Sequence, residues 1–333
     1  MRRLFALVLV IAAAVALLRY ADLATAASAL ASMPRRSLLA LLVLLGVSAL
    51  ARAARWSYYL RSAGLRIRRR DAMTSFLAGM ALGWLPAGGL FAARLAQEHG
   101  DVRMRQAAPA LFVKLVADLV VVATLAYGYG LADREPWNRL LIPIGGLAVA
   151  GLLVAMGRSA RVWAFIDRLL GRFRLTRDWL SQETDIQVRV QALMRARVLA
   201  TGILFSLLTT ALSILLLSVL VNGLTIRGIT VREATAIHTT AETVSKLAPI
   251  GIGFTVGDSS LVQMLNRLGI GWVRVLYLLL TLRSLNLVFK TGFGVVMLLA
   301  CYRPLLVATL DLPRRQRTTR RWARYAWRRG RGP

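Results

Sequence analysis

Cysteine occurs once in the 333 residues, at Cys301, and histidine twice, at His99 and His238. One cysteine permits no intrachain disulfide, and three such side chains cannot supply a four-ligand Cys/His zinc site. Acidic residues are scarce as well: 15 Asp and Glu stand against 44 Lys and Arg, for a net charge of +29. Only 18% of the chain is charged, below the roughly 25% usual for soluble domains, while 57% is hydrophobic. That balance argues against an ordinary soluble enzyme and against disorder. The sequence holds no Walker A loop, no His-Glu-x-x-His and no Gly-x-Ser-x-Gly. Gly251, Gly253 and Gly257 lack the dinucleotide-binding spacing and follow no strand. No stretch alternates with period two between regular turns, which argues against a β-barrel. With no catalytic constellation left, the chain does not read as an enzyme, and no cofactor or metal is expected.

What the chain has in abundance is long apolar runs. A membrane helix needs about 20 largely apolar residues, and six runs qualify as full spans: Leu4–Leu18, Leu38–Ala54, Ala107–Tyr127, Leu140–Met156, Val198–Val221 and Trp272–Tyr302. Arg52 interrupts the second near its end, where an arginine can snorkel. The first run, with Arg2-Arg3 ahead and Ala24-Thr25-Ala26 behind, shares features with a secretory signal, but Arg19 sits badly in a cleavage region and further spans follow. It is read as a span. The basic stretches 55–71, 157–197 and 303–333 belong on the cytoplasmic side, and the near-neutral stretches 128–139 and 222–234 on the other. This places both termini in the cytoplasm and the protein in a bacterial inner membrane. A pI near 11.8 is thus an orientation signal; nucleic acid is not the expected partner, because the cations lie between apolar runs.

The alternation of sides closes only if two moderately apolar segments, Ala72–Ala93 and Ala234–Gln263, enter and leave on the same side. Each breaks at its centre, the first at Pro86, Gly88 and Gly89, the second at Pro249, Gly251 and Gly253. Both read as re-entrant hairpins, entering from opposite faces, and each follows a full span at a similar distance. That is the pattern of an inverted repeat. The predicted fold is therefore an all-α polytopic bundle over residues 1–305, with six spans and two hairpins, followed by a basic tail, 306–333.

Ionisable residues inside such a bundle are costly and mark candidate sites. Lys114 and Asp118 share a helix face and could neutralise each other; Glu242 and Lys246 repeat the spacing, with His238 one turn earlier. Arg283, Asn286 and Lys290 form a polar stripe on an apolar helix. The stripe could lead a lipid phosphate or another anion through the bundle, or it could pair with Asp118, Glu242 or Asp258. Arg94 follows the first break and Asp258 the second. Arg94, Arg283, Asn286 and Lys290 are the candidate substrate-binding residues, and Asp118, Glu242 and Asp258 the candidate counter-ions. Between spans, Val162, Trp163, Phe165, Ile166, Leu169, Leu170 and Phe173 recur at helical spacing among arginines, an interfacial pattern. The tail from Pro313, with nine arginines and Trp322, Tyr325 and Trp327, suits an anionic leaflet.

Arg55-Trp56, a Pro/Gly break followed by Arg94, Asp118, Pro249-Ile250-Gly251-Ile252-Gly253 leading to Asp258, Leu268-Gly269-Ile270 and Arg283, in that order, resemble the lysylphosphatidylglycerol synthase transmembrane region, or flippase-like, family. The resemblance implies movement or presentation of lipids, with stand-alone relatives accompanying glycolipid or hopanoid pathways. It departs at three places: Leu90-Phe91 stand where Gly-Glu is common, Asp258 where Glu is usual, and Lys114 where an acid is frequent. The aminoacyl-transferase domain of the full synthases is not expected here. Expected partners are membrane lipids, with a lipid or glycan biosynthetic enzyme as the partner if the protein is instead a scaffold.

Overall fold

The computed structural model describes residues 23–82, 88–99, 104–130, 137–159, 184–225, 228–248 and 253–329. All of its regular structure there is helical. The helices are α1 (Leu23–Ser32), α2 (Arg35–Ser62), α3 (Arg69–Gly79), α4 (Gly88–His99), α5 (Met104–Gly130), α6 (Trp137–Arg158), α7 (Thr184–Leu193), α8 (Ala196–Leu224), α9 (Val231–Leu247), α10 (Gly253–Arg267) and α11 (Trp272–Arg329). A single 3-10 turn, Met80–Leu82, extends α3.

Four helices carry apolar segments long enough to cross a membrane: Arg35–Ser62, Pro109–Gly128, Ala196–Leu224 and Trp272–Tyr302. They correspond to four of the six expected spans, and the shorter apolar segment Ile142–Arg158 of α6 to a fifth. The expected first span and the interfacial helix of residues 162–173 lie outside the described residues. The long helices turn apolar side chains outward, among them Leu39, Val43 and Leu50 on α2, Leu204 and Leu208 on α8, and Val296 and Leu299 on α11. Hydroxyls point inward: Ser206, Thr209, Thr235, Thr239, Thr243, Thr281 and Ser284 are buried. A soluble bundle shows the opposite arrangement, so the chain is a multi-pass helical membrane protein.

Local chemistry fixes the ends. Helix α2 stops in a Schellman cap, with Gly64 at φ 75° and the Leu65 and Gly64 amides donating to Leu60 and Arg61 carbonyls. The Leu268-Gly269-Ile270 segment is the same device: Gly269 takes φ 81°, and Ile270 and Gly269 donate to Leu265 and Asn266, so α10 turns into α11 within a few residues. Helix α9 starts in a capping box, Thr230 and Glu233 each bonding the other's backbone amide.

Both proline/glycine-broken segments fold as helical hairpins, α3 with α4 and α9 with α10. A Cβ on Gly79 would come within 2.7 Å of Ala92, and one on Gly257 within 2.7 Å of Ser245; glycine is what allows the arms so close. The order long helix, hairpin, long helix occurs twice, as α2–α5 and as α8–α11. The first arm of each hairpin packs on the closing helix of the other half, α3 on α11 and α9 on α5. Gly294 marks the first of these contacts, since a Cβ there would meet the Ala81 backbone nitrogen at 2.2 Å. Thr243 of α9 marks the second, resting against Gly146 of α6 beside Ala123 and Leu119 of α5.

A polar cluster at the centre of the bundle

Helix α2 does not end where its apolar run ends. It continues to Ser62, which carries Arg55 into the bundle at 3% exposure rather than into the cytoplasmic stretch where its place in a basic run had put it. Its Nη1 donates to Asp118 Oδ1 of α5 at 2.5 Å and to Ser206 Oγ of α8 at 3.2 Å, and Ser206 in turn donates to the same carboxylate. Lys114, one turn before Asp118, lies 3.6 Å from its other oxygen. The Lys114–Asp118 pair anticipated from spacing is thus real but secondary: Asp118 is held chiefly by an arginine 63 positions away. Arg52 also departs from expectation. Instead of snorkelling outward it donates to Ser213 Oγ of α8 at 3.3 Å, within Coulombic range of Arg55, Asp118 and Glu242.

The second half completes the cluster. Glu242 and Lys246 pair along α9, and His238 and Asp118 lie within electrostatic reach of Glu242. Lys290 reaches in from α11, where it feels Arg52, Glu242 and Lys114. Ala49 and Ala53 of α2 share an apolar cluster with Leu77 and Met80 of the first hairpin, and Phe289 and Phe293 of α11 pack against that cluster. Among the described residues Lys290 and Arg52 have no carboxylate at ion-pair distance. Lys114 and Glu242 keep 36% and 40% of their side-chain surface accessible.

Residues 3–294 match the family model described as the lysylphosphatidylglycerol synthase TM region. The chain belongs to that family. No curated protein matches it. The matched segment takes in every residue of the cluster and stops at Gly294, the contact with the first hairpin; the rest of α11 lies beyond it.

In this member of the lysylphosphatidylglycerol synthase transmembrane-region family, the remaining candidate residues fall at different distances from the cluster. Arg283 pairs with Asp258 of the second hairpin, two turns before Lys290 on α11, and Gly294, one turn beyond Lys290 and outside the stripe read from sequence, meets the first hairpin's Ala81. Asn286 turns its amide back to the Leu282 carbonyl at 3.0 Å. Arg94 donates to Gln97 Oε1 one turn on within α4, at 2.5 Å, and is not among the charges that bear on Lys290, Lys114 or Glu242. Gly88, Gly89 and Gly253 begin the second arms of the hairpins, while Pro86, Pro249 and Gly251 lie outside the described residues. Sequence reasoning passed over Arg52 and Arg55 as cluster members. The available signal was the spacing of Arg52 and Arg55, three apart on one face of a helix that had only to run past its apolar segment.

Proposed function

We propose that the protein moves or presents polar-headgroup lipids between the leaflets of a bacterial inner membrane, with both termini cytoplasmic. The observation that carries this reading is Lys290: an intramembrane cation with no carboxylate at ion-pair distance among the described residues, within Coulombic range of Lys114, Arg52 and Glu242. An uncompensated charge at such depth is strongly unfavourable, and a headgroup phosphate relieves it. The lipid tails stay in the bilayer while the headgroup enters between the hairpins. Asp118, Glu242 and Asp258 hold Arg55, Lys246 and Arg283 when the site is empty and compete with the phosphate for cations when it is filled. No step requires a covalent bond to the lipid.

Vesicles containing the purified full chain should expose an inner-leaflet fluorescent phospholipid to an external quencher faster than empty vesicles do. Lys290→Met should slow that exposure by about tenfold or more, the change expected from about 1.4 kcal/mol. Equal rates for protein, variant and empty vesicles would refute transport. One observation favours a scaffold as the second reading: α11 runs unbroken to Arg329, about 40 Å past Tyr302 at 1.5 Å per residue, and offers a basic rod to a biosynthetic enzyme. Loss of enzyme recovery on deleting residues 313–333, with no transport by the full chain, would select it.

A further inference from the structure

The central cluster is out of balance, and the size of the imbalance selects a headgroup. Arg52, Arg55, Lys114, Lys246 and Lys290 are linked by mutual Coulombic contact or by contact with Asp118 and Glu242, and among the described residues these two are the carboxylates in reach. Asp118 is shared by Arg55, Ser206 and, at 3.6 Å, Lys114, and Glu242 is held by Lys246. Five cations against two carboxylates leave a net surplus of three positive charges, and the cations beyond the two closest pairs, Arg52 of α2, Lys114 of α5 and Lys290 of α11, are each delivered by a different helix. Arg283 adds nothing to it, because Asp258 answers its charge.

From this surplus we infer that the cluster favours a terminal phosphate, a phosphomonoester or the end of a pyrophosphate, over a phosphodiester or a zwitterionic headgroup. The inference rests on the lipid-handling reading of the same site and narrows it. A phosphomonoester brings close to two negative charges at neutral pH and three equivalent oxygens, one for each of the three helices. Arg52 offers a planar fork and the two lysines compact point charges, a combination suited to a terminal phosphate. A phosphodiester brings one charge and two free oxygens, which leaves two cations unanswered. Phosphatidylethanolamine brings an ammonium with its phosphate, and a lysylated headgroup brings more, into a site already oversupplied with cations. By this charge logic the chain handles something other than the aminoacylated lipid in its family's name.

The test uses the full chain in phosphatidylcholine nanodiscs, with binding of dioleoyl phosphatidate, phosphatidylglycerol and phosphatidylethanolamine compared by native mass spectrometry, and inorganic phosphate and glycerol 3-phosphate added as soluble competitors. Phosphatidate should be retained about tenfold more tightly than phosphatidylglycerol, as one further matched charge predicts. Lys290→Gln and Lys114→Gln should each bring the two lipids to near parity, and Lys290→Arg, which keeps the charge, should preserve the difference in the same fold. Phosphatidylglycerol bound as well as phosphatidate overturns the charge selection and leaves lipid handling standing. Glycerol 3-phosphate displacing phosphatidate at equal concentration supports the phosphomonoester site and overturns a lipid as its source. Failure of all three lipids to bind overturns both readings.

Discussion

Removing the carboxylate of Asp118 should destabilise the protein far more than removing the carboxylate and its arginine together. Arg55 has 3% of its side chain exposed, and its guanidinium is met by Asp118 and by Ser206, which donates to the same carboxylate. With Asp118→Ala, Arg55 keeps its charge and loses its counter-ion in a site water cannot fill. Breaking a buried pair from one side costs about 3–5 kcal/mol. Lys114 contributes less to that cost, because its ammonium is 3.6 Å from the carboxylate and its side chain is 36% accessible. At a few degrees per kcal/mol, the apparent Tm in detergent should fall by on the order of 10 °C. Arg55→Met alone should be milder, since Asp118 retains Lys114 and Ser206. The double variant Asp118→Ala, Arg55→Met should recover most of the loss, because apolar replacement of both partners is often close to neutral. A Tm for Asp118→Ala within about 1 °C of wild type, or a double variant no better than Asp118→Ala, would refute the assignment of Asp118 as the arginine's counter-ion.

Two further tests probe the close packing. Gly294→Ala would press a methyl into the Ala81 backbone, at 2.2 Å from its nitrogen and 2.7 Å from its Cα; with no flexible side chain there to yield, overpacking should cost about 1–3 kcal/mol, read as lost thermal stability and as weaker cysteine cross-linking between α11 and the Met80–Leu82 turn. Gly202→Ala would place a Cβ 2.2 Å from the Tyr59 hydroxyl oxygen, which is buried with no hydrogen-bond partner among the described residues. Tyr59→Phe alone should therefore leave stability nearly unchanged and should rescue part of the Gly202→Ala loss; additive losses in the double variant would count against the contact.

Much of the architecture was legible because it rests on local signals. An apolar run of span length needs no knowledge of its neighbours, and the Pro/Gly breaks announce the hairpins regardless of what they pack against. The Gly269 turn was visible as a motif, though its role as a helix cap emerges only from the backbone. The site was legible where its contacts are one helical turn apart, as with Lys114 and Asp118 or Glu242 and Lys246. It was illegible where partners are far apart in the chain. Nothing near Arg55 announces Asp118 or Ser206, 63 and 151 positions away, and a basic neighbourhood made Arg55 resemble part of an orientation signal. Arg52 was misjudged for the same reason: its hydrogen bond to Ser213 spans 161 positions. The Asp258–Arg283 pair was one of several alternatives that only three-dimensional proximity could separate.

The crossing of the two halves, α3 on α11 and α9 on α5, also sets the order of events during synthesis. The first hairpin emerges nearly two hundred residues before Gly294, the residue on which its turn will rest. Until then the N-terminal half must sit in the bilayer with one wall missing, and Lys290 is the last of the central cations to reach the membrane. Contacts of such long sequence separation are slow to form. A nascent chain truncated before residue 290 would therefore hold both hairpins and most of the cluster without a closed site, a half-built intermediate for the insertion machinery or a membrane protease to recognise.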